Sequence, residues 1–284
     1  MTDAPRRPPK FPLQLDALRS GAAAPAVPGT VSRAGPPPRA VLRPQQPVRQ
    51  AHLDAAHRQA PSGVGMDSAD VRQRMVQRLR AGGLRHEGLI AAMASVPRHA
   101  FVDAALVTQA YEDTSLPIGH GQTISKPSVV ARMIELLLQG ANARQAQSLG
   151  SVLEIGTGCG YQAAVLARLA RQVVSVERLR ALHDKARELL APLRPDHLRL
   201  VYGDGMHGHP PNAPYDSIIA AAGGDAAPQA WLDQLAVGGR LVFPVRADGA
   251  AGQILMVLDR TEQGYTRSVF EAVHFVPLKS GLGA

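Results

Sequence analysis

Three short stretches set carboxylates beside glycines at regular intervals along the chain. The first is Glu154-Ile155-Gly156-Thr157-Gly158-Cys159-Gly160, which lies between an apolar run and a helical pattern. Glycines at such a turn let backbone approach a ligand where a Cβ would collide, and they leave N–H groups pointing outward. The second is Glu177, which ends Val174-Ser175-Val176-Glu177. It lies about 20 residues beyond the glycines, the position from which an acid accepts hydrogen bonds from both ribose hydroxyls. The third is Tyr202-Gly203-Asp204-Gly205, another carboxylate in a glycine loop after an apolar run. In open α/β sheets ligands bind outside the carboxyl ends of the strands, so these three loops are expected to converge on one crevice.

The spacing narrows the nucleotide. Dinucleotide sites space their glycines G-x-G-x-x-G and seat a pyrophosphate on a helix N-terminus. Here the third glycine, Gly160, comes one residue early, and Glu154 stands just before the loop. A carboxylate there repels phosphate and attracts a cationic amino-acid moiety. S-adenosylmethionine carries an ammonium and a sulfonium and no phosphate, so it is favoured over NAD. The chain also has no Gly-Lys-Ser/Thr phosphate loop. The segment Ala222-Gly223-Gly224-Asp225 stands where methyltransferases of exocyclic amines often carry Asn/Asp-Pro-Pro-Tyr/Phe. Its small residues argue against adenine, cytosine or glutamine-amide methylation.

These loops need a scaffold, and the pattern from Ser151 onward provides one. Short apolar runs predict strands at Ser151–Ile155, Gln172–Val176, Leu198–Tyr202, Ser217–Ala221, Arg240–Val245 and Ile254–Leu258. Helical segments fall between them at Tyr161–Ala170, Leu179–Leu190 and Pro228–Leu235. This rhythm predicts a doubly wound, Rossmann-like α/β sheet that is mostly parallel. The short turn Glu262–Gly264 before Tyr265–Pro277 predicts an antiparallel hairpin at its C-terminal edge.

Extra helices precede this sheet. Asp67 or Ser68 caps a helix with Val71, Met75, Val76 and Leu79 on one face, ended by Gly82-Gly83. A second runs from His86 to Ser95. Tyr111 to Lys126 reads as irregular, broken by Pro117, Gly119 and Gly121. Pro127 then opens a helix whose stripe is Val130, Met133, Ile134, Leu137 and Leu138.

The formal charge is +8, which by itself would suggest a nucleic-acid partner. Six of those charges come from residues 1–65, where nine basic residues face three acidic ones. That segment holds Pro36-Pro37-Pro38 and lacks sustained periodicity, so it reads as a disordered tail, with at most a short helix near Gln50 to Gln59. The domain proper is expected over residues 66–284. Dispersed arginines with a single aromatic, Phe11, among them argue against a nucleic-acid role for the tail. Cys159 is the only cysteine, which excludes an internal disulfide or a cysteine-based zinc cluster, and no metal site is expected. No apolar stretch approaches the roughly 20 residues of a membrane helix, and no compact apolar leader follows Lys10. A cytoplasmic monomer is the expectation.

Four stretches go further. They are Val96-Pro97-Arg98-His99-Ala100-Phe101-Val102-Asp103, Leu116 through Pro127 (LPIGHGQTISKP), Val152 through Gln162 (VLEIGTGCGYQ), and Val273-His274-Phe275-Val276-Pro277-Leu278. With them the chain resembles the bacterial protein-L-isoaspartate O-methyltransferases from about Asp67 to Leu278. The glycine stretch is common to many methyltransferases, whereas LPIGHGQTISKP is specific to this family. The resemblance implies methyl transfer from S-adenosylmethionine to the free carboxylate of L-isoaspartyl residues in damaged proteins. The ester then cyclises spontaneously to a succinimide, and hydrolysis returns some normal aspartate.

By the same resemblance, Gln122, Thr123, Ile124 and Ser125 form a loop that closes over the cofactor, with Ser125 as the active-site serine. Glu154, Gly156, Thr157, Gly158 and Gly160 form the cofactor loop, Glu177 meets the ribose, and Asp204 with Gly205 sits beside the adenine. Gln253 aligns with a residue that covers the site. Two departures stand out: Cys159 replaces a common serine, and Arg246 replaces a usual glycine. A carboxylate with a pKa near 4 is ionised at neutral pH, so the chemistry needs no general base. The alternatives are another Rossmann-like methyltransferase acting on RNA or a small molecule, a binding module without turnover, and lastly an NAD oxidoreductase.

Overall fold

The computed structural model describes residues 69–193, 196–246 and 252–283. The tail of residues 1–65, its short helix near Gln50–Gln59, and the caps Asp67 and Ser68 lie outside the described residues.

The chain opens with α1 (Ala69–Ala81) and α2 (Glu87–Ser95). α1 buries Met75, Val76 and Leu79 and ends in a reverse turn. There Leu84 N–H donates to the Leu79 carbonyl, Gly83 N–H donates to Arg80, and Gly83 takes φ +108°, a glycine-closed helix end. Two 3-10 turns, Arg98–Phe101 and Ala104–Gln109, lead into α3 (Pro127–Leu138) and α4 (Ala141–Ala146). α3 starts on Pro127, and Val130, Met133, Ile134 and Leu137 are at most 1% exposed. Each such side chain contributes roughly 1.5–3 kcal/mol by leaving water.

The stretch from Tyr111 to Lys126 differs from its sequence reading. It contains a two-stranded antiparallel hairpin, β1 (Leu116–Gly119) and β2 (Gln122–Ile124), turned by Gly119, His120 and Gly121, all at positive φ. Leu116 and Ile118 are buried while Pro117 and Gly119 are exposed. Strands of three and four residues are too short for a period of two to emerge from the sequence.

The main sheet has seven strands in the order β5-β4-β3-β6-β7-β8-β9. They are β3 (Ser151–Ile155), β4 (Gln172–Glu177), β5 (Leu198–Tyr202), β6 (Tyr215–Ala220), β7 (Leu235–Arg246), β8 (Gln253–Thr261) and β9 (Gly264–Val273). Strands β5 through β7 pair in parallel, and β8 and β9 add antiparallel at the edge. All five residues of β3 are buried, as befits a central parallel strand covered on both faces. α5 (Tyr161–Leu166), α6 (Arg180–Leu190) and α7 (Gln229–Gln234) cross over between the strands. α6 seats Leu182, Ala186 and Leu190, four residues apart, against the sheet.

α5 stops four residues short of its predicted end. Leu149 N–H and the Ser148 hydroxyl both donate to the Leu169 carbonyl, so the chain there is tied to the strand before it. β9 also ends early, at Val273. The following residues run beside the segment after β6, where Gly223 N–H donates to the Val276 carbonyl and Leu278 N–H donates to the Gly223 carbonyl.

Candidate active site

Because β3 sits between β4 and β6, the strand order reverses there and the loops after these strands part to leave a crevice. The crevice is a cavity of about 380 Å³. Gly156, Thr157, Gly158, Glu177 and Gly205 line it from the sheet side. Gln122, Thr123, Ile124 and Ser125 line it from the β1–β2 hairpin and the loop that follows. The two sets are far apart in sequence and line one cavity.

The glycine loop has the geometry its sequence demands. Gly156, Gly158 and Gly160 take φ of +90°, +57° and +93°, which side chains rarely adopt. Gly160 does not line the cavity: it lies behind, where a Cβ would stand 2.9 Å from Leu190 and push α6 off the sheet. At Gly205 a Cβ would fall 2.6 Å from Ile155 Cγ2, so this loop too can sit against β3 only as glycine. Trp231 Nε1 donates to the Gly205 carbonyl at 2.7 Å and fixes it from below.

Glu177 caps the end of β4 and is 5% exposed. Gly158 N–H donates to its Oε2 and Leu179 N–H to its Oε1, both at 2.9 Å. A carboxylate has about four acceptor sites, so two remain for a ligand's hydroxyls. Among the residues lining the cavity it is the only acid. Arg178 and Lys279 line the same cavity, so its lining has no net negative charge and Glu177 acts as a local acceptor fixed by backbone N–H groups.

Besides Gly160, two predicted cofactor residues are placed off the cavity. Glu154 does not line the cavity, because side chains alternate along β3 and its neighbour Ile155 is the one facing inward. Glu154 is fully buried behind the loop, accepting from Gln162 Nε2 at 3.0 Å and from the Ser175 hydroxyl. Ser175 is also 2.6 Å from the Thr157 hydroxyl. Burial pushes the Glu154 carboxyl up to about 8, against the opposing pull of Ser175 and Gln162. Its contact with the cavity is therefore through Thr157 and Gln162, which do line it. The sequence reading missed Ser175 and Gln162 as partners, although a buried acid requires such donors.

Asp204 also lies off the cavity, which only its neighbour Gly205 lines. Its Oδ1 accepts from Met206 N–H at 2.9 Å. Its Oδ2 accepts from Gly281 N–H at 2.6 Å and from the Ser280 hydroxyl at 3.0 Å. Partial burial would raise this carboxyl, but these donors outweigh it and hold it below the usual range. The same C-terminal segment receives Arg178 Nε on the Gly281 carbonyl and the Tyr202 hydroxyl on the Gly283 carbonyl. It lies along the ends of β4 and β5.

Ser125 stands where two cavities meet. A second cavity of about 400 Å³ is lined by Ser115, Lys126, Val129, His274 and Phe275. Thr123, Ser125, Ala221 and Val276 line both cavities. Ser125 does not cap α3, whose first turn is satisfied by Asp113 accepting from Ser128 N–H and Oγ. Its hydroxyl has no hydrogen-bond partner among the described residues, while its carbonyl accepts from Arg98 Nη2 at 2.7 Å. Gln253 lines neither cavity: its Oε1 accepts from Phe275 N–H at 2.7 Å and so braces the second cavity's wall. Arg246 pairs with Asp225 at 3.0 Å on the surface and also lines neither. Cys159 is buried in the cofactor wall, and burial raises its thiol to about 11, which leaves it protonated.

Among the described residues no group of three or more His, Cys, Asp or Glu is placed to hold a metal ion. Among them, too, no helix is long and apolar enough to cross a membrane.

A sheet of this order, with a glycine loop after its central strand and an acid at the end of the next, defines a Rossmann-like methyltransferase. The comparisons with known proteins narrow the class. The family model described as protein-L-isoaspartate(D-aspartate) O-methyltransferase matches residues 70–283. A protein-L-isoaspartate O-methyltransferase of Methylibium petroleiphilum is 58% identical over 284 residues, 99% of each chain. Another, from Leptothrix cholodnii, is 62% identical over 240 residues and 84% of each chain. A solved protein-L-isoaspartate O-methyltransferase superposes with a TM-score of 0.66 at 28% identity, over 75% of this chain and 67% of that one. The fold is shared by a Plasmodium falciparum structure described as a beta-aspartate methyltransferase in complex with S-adenosyl-L-homocysteine. That match has a TM-score of 0.63 at 21% identity, over 73% of this chain and 98% of the other. The chain belongs to the protein-L-isoaspartate(D-aspartate) O-methyltransferase family.

Proposed function

We propose that the chain transfers a methyl group from S-adenosylmethionine to the free carboxylate of L-isoaspartyl residues in damaged proteins, with Ser125 at the point of transfer. The observation that carries this reading is the pair of cavities meeting at Thr123, Ser125, Ala221 and Val276, one on the nucleotide loops and one on the far side of Ser125, where a peptide would enter.

The residues present fit S-adenosylmethionine. The positive-φ glycines, the contact at Gly205 that a Cβ would fill, and the acceptor positions left on Glu177 suit a nucleoside. Glu177 would hold the ribose hydroxyls, while Thr157 and Gln162, aligned from behind by Glu154, would face the amino-acid end. When bound, the cofactor supplies an electrophilic methyl on a sulfonium. Ser125 offers a free hydroxyl to orient the attacking carboxylate, and the hairpin residues Gln122, Thr123 and Ile124 would keep water from the cavity they share with the glycine loop. No residue is needed to take a proton, since the nucleophile is already an anion. Alignment of reactants in a near-attack geometry can supply several kcal/mol of the barrier reduction.

Residues 66–284 form the catalytic domain in this reading, which works as a monomer in the cytoplasm, on protein and not nucleic acid. The lone, buried cysteine suits a reducing compartment. The test is transfer of radiolabelled methyl to paired peptides, one with L-isoaspartate and one with L-aspartate. Base-labile label on the isoaspartyl peptide alone supports the reading. Binding of S-adenosylmethionine with no label on either peptide overturns it.

A further inference from the structure

The stretch Val96 to Asp103 has so far found no part in the chemistry, yet it carries a charge in an improbable place. Arg98 is 0% exposed. Arginine is almost never fully buried unless paired, because its guanidinium loses strong hydration. No carboxylate forms an ion pair with it among the described residues. Its partners are instead two backbone carbonyls and a ring. Nε donates to Ala110 at 2.7 Å and Nη2 to Ser125 at 2.7 Å, and Cζ lies 4.7 Å from the centroid of Tyr161. Nη1 is buried without a hydrogen-bond partner. Burial lowers the guanidinium's pKa, opposed by the nearby Tyr161, Cys159 and Asp113.

Stability alone is a poor account of this arrangement. Apolar side chains of similar volume often replace buried ionic groups at no cost. What an apolar residue could not do is join these particular elements. Ser125 belongs to the loop between β2 and α3 and lines both cavities. Tyr161 opens α5 directly after the glycine loop and lines the first. The planar guanidinium therefore spans the substrate-facing loop and the cofactor-facing helix with one rigid group.

We propose that Arg98 is a positioning residue for the methyl transfer, its fork setting Ser125 against the glycine-loop helix through the Ser125 carbonyl and the Tyr161 ring. It touches neither substrate nor cofactor, and it acts through the height of Ser125 above the cofactor wall. The inference rests on the carboxyl-methylation reading. Label transfer by the unaltered chain to the isoaspartyl peptide, measured in the same series, tells failure of that reading from failure of this one.

The experiment compares Arg98→Lys with Leu89→Ala, a fully buried α2 residue that lines neither cavity. Thermal midpoint, S-adenosylmethionine Kd by calorimetry, and kcat and KM for an isoaspartyl peptide are measured for each. Arg98→Lys keeps the charge but loses the fork, and should lower kcat at least tenfold while Kd stays within about threefold. Leu89→Ala should lose as much thermal stability and keep kcat within twofold. In a Ser125→Ala background the loss from Arg98→Lys should shrink to less than threefold, because the serine it positions is gone. Should the lysine variant not fold, Arg98→Gln takes its place. Unchanged kcat in a folded Arg98 variant, an undiminished loss without the serine hydroxyl, or failure of both Arg98 variants to fold would each overturn the proposal.

Discussion

The two walls of the active site are built in opposite ways. The nucleotide wall is made of loops that each follow their own strand, and its acid Glu177 is held by partners no more than one crossover away. Gly158 reaches Glu177, Leu179 reaches the same carboxylate, and Met206 reaches Asp204. The Ser125 wall is a short hairpin and loop fixed by distant donors. Arg98 binds the Ser125 carbonyl from 27 residues away, and Lys185 approaches the Ile118 carbonyl from 67 away. The Glu177 part of the first wall is therefore set once the sheet forms, whereas the Asp204 loop waits for the C-terminal segment and the second wall depends on how separate elements pack onto the sheet.

The contrast between the walls can be broken most sharply at Glu177. Removing its carboxylate takes away the two acceptor positions left for ligand hydroxyls, where a hydrogen bond to a charged group is worth about 1.5–3 kcal/mol. Glu177→Ala should weaken S-adenosylmethionine binding by about 100-fold in calorimetry, and undiminished affinity would remove this acid from the cofactor wall.

Glu154 tests the buried side of the same wall through pH. Its folded pKa of about 8 lies above the ordinary value of 4.5, so the folded state binds the extra proton across that window. This contribution is present below pH 4.5 and is lost as pH rises towards 8. Glu154→Gln should flatten the fall in thermal midpoint between pH 4.5 and 8 and leave the variant a few kcal/mol more stable than the native chain at pH 8. A slope equal to the native one would place the titration elsewhere.

On the other wall, Ser125→Ala should cost about tenfold in kcat/KM for an isoaspartyl peptide, roughly one hydrogen bond, with S-adenosylmethionine affinity intact. Full activity would end the orienting role. The smallest effect belongs to Arg246, whose exposed pair with Asp225 is of a kind worth about 0–1 kcal/mol. Arg246→Gly should move the thermal midpoint by no more than a degree or two, and a larger drop would show that this ion pair is not a surface contact alone.

Legibility in the sequence follows the same division. β3 and β5 lie where their apolar runs put them, and Glu177, Gly156 and Gly158 reach the cavity as their register implies. Glu154 misled because a strand's alternation decides which way an acid points, and a fully buried strand shows no alternation to read. Asp204 misled because its donors, Ser280 and Gly281, lie 76 and 77 residues on. The β1–β2 hairpin was illegible for its shortness. Arg98 stood in a noticed motif, but nothing local to a charged residue announces that it will be buried under Tyr161. Only the family resemblance brought Ser125 forward.

Asp204 has a last consequence, which can be read as a count of vacancies. Its two oxygens offer about four acceptor positions, and Met206, Ser280 and Gly281 fill three. One further donor can be admitted with every present bond intact; a second would have to evict one of the three. The carboxylate thus behaves as a socket with a single opening, and a visitor asking for two places there would have to unfasten the segment that runs through Gly281.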